Sequence, residues 1–218
     1  MISLLSLLFL GFILGIKHAI EPDHIIAVST MVGKHKKLLR STLTGVFWGI
    51  GHTATLFVVG MLLVLLKGEL SDSLAMSLEF LVGIMLVYLG AKNLIPSKGS
   101  FASQKGDVNG SMWRVTIIGF VHGLAGSAAL VILTLSTVSS IWECALYILV
   151  FGIGTITGML VFTTILGIPF VYGSSNKPLS ASLTRIAGTV SFVFGLYYMY
   201  NLGITEGLFD MWLGRSSS

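Results

Sequence analysis

The sequence predicts an all-α integral membrane protein: six transmembrane helices arranged as two inverted three-helix repeats, with the first helix broken near Pro22. Three observations carry that expectation. Of the 218 residues, 54% are hydrophobic and only 10% charged, against about 25% charged in a soluble domain, and the mean hydropathy is +0.92. The apolar residues gather into windows long enough for ~30 Å of hydrocarbon, a span that takes roughly 20 residues. Finally, landmarks of the first half recur in the second at a nearly constant spacing.

Six windows qualify, at about 3–32, 41–66, 74–95, 113–138, 142–172 and 182–203, by apolar run length. The first and fifth are overlong, so each should bend, tilt or break; Pro22 gives the reason in the first. Residues 1–16 are apolar but lack a basic n-region and an A-x-A-like cleavage site, so they read as a retained span rather than a signal peptide. Orientation follows from the basic residues. The loop after the first span holds Lys34, Lys36, Lys37 and Arg40; the third loop holds Lys98 and Lys105, flanked by Lys92 and Arg114; the fifth holds Lys177 and Arg185. These are ten of the thirteen Lys and Arg. Both termini are therefore expected outside, and the three basic loops in the cytoplasm. The net charge of +4 thus reports topology and not nucleic-acid binding.

The Ser/Gly/Lys-rich stretch 97–111 reads as a flexible cytoplasmic linker. It divides a first three-span repeat, 1–96, from a second, 112–218. Gly15 and His18 match Gly119 and His122, a shift of 104; Gly49 and Gly51 match Gly152 and Gly154, a shift of 103; Gly83 and Gly90 match Gly188 and Gly195, a shift of 105. Because each half has three spans, the second must insert upside down. Inverted repeats are the mark of secondary transporters, whose substrate sites lie near the midplane at the repeat interface. The 26 glycines, many of them inside apolar windows, suit close helix packing in lipid.

The chemistry concentrates in Lys17-His18-Ala19-Ile20-Glu21-Pro22-Asp23-His24. Ionisable groups inside a span are costly, and each needs a partner or a purpose. On a straight helix Asp23 would lie about 140° and His24 about 240° around from His18, so the three would point apart. Pro22 cannot donate to the His18 carbonyl; a kink there should let the side chains converge and free that carbonyl. His52 and His122 fall near the middles of the second and fourth spans, beside small residues. Their depth favours metal ligands over interhelical hydrogen bonding, whereas His35 in the Lys34 to Lys37 loop reads as solvated surface.

Imidazole nitrogen with some carboxylate and no thiolate suits Ni²⁺, Co²⁺ or Zn²⁺. The candidate metal set is His18, Asp23, His24, His52 and His122. Asp23 is either a direct ligand or an orienting partner of His24 or His52. Glu21 is a ligand, a counter-charge to Lys17, or a proton carrier. Thr53, Thr55, Ser127 and Thr155 either line a path or bond back to their own helices. Glu79, Asn93 and Asn201 receive no role.

These residues carry a resemblance. Residues 18–24 fit the His-x4-Asp-His pattern of the nickel/cobalt transporter superfamily, and their setting is similar to that family's Arg-His-Ala-x-x-Ala-Asp-His-Ile. Residues 48–56 and 119–130 resemble segments of its six-span, urease-accessory (UreH-type) branch. The likeness covers spans one, two and four and elsewhere rests on hydropathy. It implies permeation of nickel or cobalt across the bacterial cytoplasmic (inner) membrane, with His18, Asp23 and His24 recognising the metal and His52 matching the family's Gly-His segment. Ni²⁺ or Co²⁺ is then the transported ion and not a cofactor; the expected partners are the ion and the bilayer, with a homo-oligomer or a metallochaperone as further candidates. The chain departs from the larger members in having two fewer spans, in Glu21-Pro22, and in lacking their later Asp-Thr motifs.

Other function classes fit less well. An intramembrane metalloenzyme would use bound metal to activate water, but His-Glu-x-x-His is absent. A thiol-electron conduit is disfavoured by the single cysteine, Cys144, which also excludes a disulfide and a thiolate cage. A non-transporting membrane partner that delivers metal remains as an alternative.

Overall fold

The computed structural model describes residues 4–33, 37–66, 71–95, 108–137 and 140–215, and among them there are helices and turns but no strand. The elements are α1 (Leu4–Ala19), α2 (Pro22–Val32), α3 (Leu38–Leu66), α4 (Asp72–Leu94), α5 (Val108–Thr137), α6 (Ile141–Tyr172), α7 (Lys177–Tyr200) and a short α8 (Leu208–Trp212). A 3-10 turn, Gly173–Ser175, joins α6 to α7, and a π-helical turn, Asn201–Thr205, leads from α7 towards α8. Among the described residues four helices are long and apolar enough to cross a membrane, and α1 with α2, bent by 58° at their break, would make a fifth such span. Outward apolar side chains such as Val58, Leu62 and Leu65 on α3 and Val190, Val193 and Tyr197 on α7 are exposed, the pattern of helices solvated by lipid.

The break in the first span is local chemistry. Glu21 is extended (φ −64°, ψ 147°) and caps α2, whose first residue is Pro22. A proline there loses nothing, because the first N–H groups of a helix have no intrahelical acceptor. Asp23 in the first turn of α2 complements the helix dipole. The expected free carbonyl is not found: the Glu21 N–H donates to the His18 carbonyl at 3.1 Å, and Ile20 N–H to that of Lys17 at 3.1 Å. The last turn of α1 tightens to i→i+3 bonds and satisfies itself.

Side chains close the starts of α4 and α7. Ser71 accepts from the Leu74 N–H at the head of α4, and Asn176 accepts from Leu179 at the head of α7. The segment 96–107, most of the expected linker, lies outside the described residues, as does His35; α5 has already begun at Val108.

Packing is glycine-led. A Cβ at Gly15 would fall on the Phe151 carbonyl and one at Gly154 on the Phe12 carbonyl, so α1 and α6 lie backbone to backbone. Between α3 and α5 the same happens: Gly119 meets the Trp48 carbonyl and Gly51 that of Thr116. On the α4–α7 seam, Gly83 faces Gly195 and Gly90 faces Gly188. Without a hydrophobic drive in lipid, such close approach supplies the dispersion contacts that hold helices together. Polar links add to the last seam and to α2: Ser191 donates to the Leu86 carbonyl at 2.8 Å and Asn93 to that of Thr30 at 2.9 Å.

Candidate metal centre

Four helices converge on one buried cluster. His18 comes from the last turn of α1, Asp23 and His24 from the first turn of α2, His52 from the middle of α3 and His122 from α5. The 58° bend brings α1 and α2 side chains together: the His18 and His24 rings lie 4.4 Å apart, centroid to centroid. His24 is also 4.4 Å from His122 and 5.0 Å from His52. Thus His24 sits at the centre of the set.

The contacts divide into two groups that share it. In one, Asp23 Oδ2 meets His122 Nε2 at 2.8 Å and Asp23 Oδ1 meets His24 Nδ1 at 3.1 Å. In the other, His18 Nε2 and His52 Nε2 approach to 3.0 Å. Asp23, His24 and His122, and separately His18, His24 and His52, can each offer ligand atoms within 4.8 Å of one another. Two neutral imidazoles satisfy an Nε2–Nε2 contact only if one donates and one accepts; a cation between them would use both lone pairs. Three further ring atoms, His24 Nε2, His52 Nδ1 and His122 Nδ1, are buried without a hydrogen-bond partner. Buried polar atoms are normally paired, and the unpaired ones call for an explanation such as an ion. The donors are imidazole nitrogen and carboxylate oxygen, a set that suits nickel, cobalt or zinc; Cys144 is buried and free and belongs to neither group.

Supporting groups hold the rings. Glu21 Oε2 lies 2.9 Å from His18 Nδ1, which fixes the orientation of that imidazole and leaves Nε2 facing His52. The buried Trp48 indole stacks on His52 at 4.9 Å, 11° from parallel, and meets His24 and His122 edge to face. Phe151 covers His18 from α6 at 5.4 Å. Of the two partners the sequence suggests for Asp23, His24 is in contact, and the second contact is His122 in place of His52.

The hydroxyls bond to backbone. Thr155 donates to the Phe151 carbonyl of its own helix, Thr55 to Gly51 of its own and to Phe120 of α5, and Thr53 across to Gly152 of α6. None of the three lies on the wall of the cavity described next; the Ser127 side chain lies outside the described residues.

A cavity of about 300 Å³ reaches the cluster, and His18, Glu21, Asp23, His24 and His122 form much of its wall. Lys17, Glu79 and Tyr198 complete its polar lining. Sequence reasoning gave Glu79 no role and did not single out Tyr198. The signal for Glu79 was a carboxylate inside an apolar window, well past the first turn of α4; Tyr198 is hidden among Tyr197 and Tyr200, which read together as an aromatic belt.

Comparison with known proteins gives the following. A family profile described as "High-affinity nickel-transport protein" matches residues 4–95. The chain is 51% identical over 224 residues to the urease accessory protein UreH of Bacillus sp. (strain TB-90), covering 97% of this chain and 98% of that one. It is 28% identical over 215 residues to a Methanocaldococcus jannaschii protein named for nickel/cobalt efflux, covering 90% and 94%. It is 26% identical over 201 residues to the Arabidopsis thaliana chloroplast protein FOR GROWTH AND FERTILITY 2, covering 85% of this chain and 52% of that one. No solved structure matches.

Proposed function

The chain belongs to the NicO family of high-affinity nickel-transport proteins, among its UreH-type members, and from that premise we propose how it moves its ion. The protein is a membrane transporter of a divalent transition-metal ion and not an enzyme. Its cargo is Ni²⁺ or Co²⁺, bound by His18, Asp23, His24, His52 and His122 after shedding water. Glu21 orients His18, and Pro22 holds the helix open so that Asp23 and His24 reach the others.

The observation that carries this reading is the convergence of four imidazoles and one carboxylate from α1, α2, α3 and α5, with His24 Nε2, His52 Nδ1 and His122 Nδ1 left unpaired in the interior. Of these atoms His24 Nε2 belongs to the ring shared by both ligand groups, and leaving it unpaired costs about 1–3 kcal/mol, which a ligand there would recover.

The architecture behind the site is six spans in two inverted repeats, 1–96 and 112–218, joined by the linker 97–111. Reciprocal glycine contacts support it. The α1–α6 pair uses Gly15 and Gly154 as the α5–α3 pair uses Gly119 and Gly51, and α4–α7 is its own counterpart. Rocking of one half against the other around a fixed site gives alternating access. The membrane is the bacterial inner membrane, both termini outside, by the placement of basic loops. In that orientation the cavity lies in the outer half: Glu79 is seven residues from the start of α4, roughly 10 Å of helix rise.

The test is nickel accumulation in cells expressing His24→Ala. Accumulation should fall to background with membrane-inserted protein unchanged; normal accumulation would remove the assigned role. The name of the UreH relative favours one second reading, a membrane partner that hands metal to an enzyme's assembly apparatus. Uptake by the protein reconstituted alone in liposomes separates the two, because a delivery partner by itself would carry no flux.

A further inference from the structure

We infer that Glu79, oriented by Tyr198, is a further binding residue of the ion route: its carboxylate receives the hydrated divalent cation in the cavity before the histidines take it. The inference rests on the transport reading above and deepens it.

Glu79 sits inside an apolar helix, where a carboxylate is expensive and seldom present without a purpose. It lines the same cavity as His18, Asp23, His24 and His122. It belongs to neither ligand group and is only partly buried, so it stands on the cavity wall outside the cluster itself. On that wall His24 is 2% exposed and its Nε2 has no partner, which marks the inner end of the cavity as a place where something binds.

A purely structural role explains Glu79 poorly. The Tyr198 hydroxyl donates to Glu79 Oε2 at 3.2 Å and so links α7 to α4. That seam is already closed by two glycine pairs and the Ser191 bond to Leu86. A clip would also need only a neutral acceptor, and glutamine would serve a tyrosine hydroxyl as well. What glutamine cannot supply is charge. With Glu21, Asp23 and Glu79 on the wall against Lys17, the cavity favours cations, and low-dielectric walls focus that field. Carboxylate oxygen is a hard ligand that holds a cation still partly hydrated; imidazoles deeper in are the better ligands for a dehydrated transition metal. An oxygen donor beside the imidazole-rich cluster lets the cation shed its water in stages.

The experiment measures initial rates of ⁶³Ni uptake against concentration with the full chain in proteoliposomes. In parallel, Co²⁺ ligand-field spectra of the purified protein report the deep site. Glu79→Gln should raise KM about tenfold with the maximal rate within about twofold, and Tyr198→Phe should raise KM about threefold. The saturated Co²⁺ spectrum should be unchanged in both. An unaltered KM in Glu79→Gln, or a lost maximal rate at constant KM, would overturn the inference while wild-type uptake upholds the transport reading. If Glu79→Gln fails to insert, Tyr198→Phe decides alone, and a wild-type KM there overturns the inference. Absence of both uptake and a Co²⁺ spectrum in the wild type would bring down the transport reading and the inference with it.

Discussion

The stretch around His18 and the one around His122 start alike and end differently. Each histidine follows a glycine by three residues, and each of those glycines packs onto a carbonyl of a neighbouring helix, Gly15 on Phe151 and Gly119 on Trp48. Beyond the histidine, one continues Glu21-Pro22-Asp23-His24 where the other has Ala125-Gly126-Ser127-Ala128 at the same offset. One span breaks and bends by 58°; α5 runs through from Val108 to Thr137. The same holds one helix further on, where His52 joins the cluster from α3 while Thr155, its counterpart on α6, bonds back to Phe151. The glycine contacts are thus alike in the two stretches, while four of the five candidate ligands precede the linker and only His122 follows it. Similar seams can carry different sites because a ring or carboxylate on a cavity wall need not alter the contacts between helices.

The most severe way to break this contrast is Asp23→Ala, which strips the carboxylate from both His24 and His122. Nickel uptake should fall about a hundredfold or more, since even outer partners of a metal ligand are worth 10–100-fold. Next comes Pro22→Ala, which restores an N–H able to bond to the His18 carbonyl and lets the helix run on. Asp23 and His24 would then swing away from His18. Uptake should drop about tenfold or more, and the distance between spin labels at the ends of α1 and α2 should lengthen.

Gly15→Val and Gly119→Val probe what the halves share. Each places a Cβ on a backbone carbonyl, so each should cost about 1–3 kcal/mol, read as a lower melting temperature in detergent. A large loss in one and none in the other would refute equal packing. The smallest effect belongs to Thr155→Val, which removes a hydroxyl bonded to its own helix. Uptake should stay within about twofold and stability within about 1 kcal/mol.

Much of this was legible in the residues. Pro22 between two histidines announced the break, and the depth of His52 and His122 announced convergence. The hydropathy windows found the apolar bodies of the helices but started α3, α5 and α7 late, because their first turns carry residues such as Arg40, Asn109 and Lys177 that a run-length criterion rejects. The pairing of Asp23 with His122 was not legible, since it depends on how α2 is aimed at α5. Trp48 was visible only as part of a motif, and its role as a wall for three imidazoles needs three dimensions. Glu79 lies 55 residues from His24, and no spacing rule joins them. The His18 carbonyl was misread, because the loss of one donor at Pro22 was noticed and its replacement by Glu21 was not.

The central claim is that the opened first helix delivers His24 to a site that holds the transported ion. Extended X-ray absorption of Ni²⁺ bound to the full-length protein tests it most directly. The account predicts outer-shell scattering from at least two imidazoles together with oxygen donors, and loss of that imidazole signal in His24→Ala. An oxygen-only or sulfur shell, or an imidazole signal indifferent to His24, would contradict it.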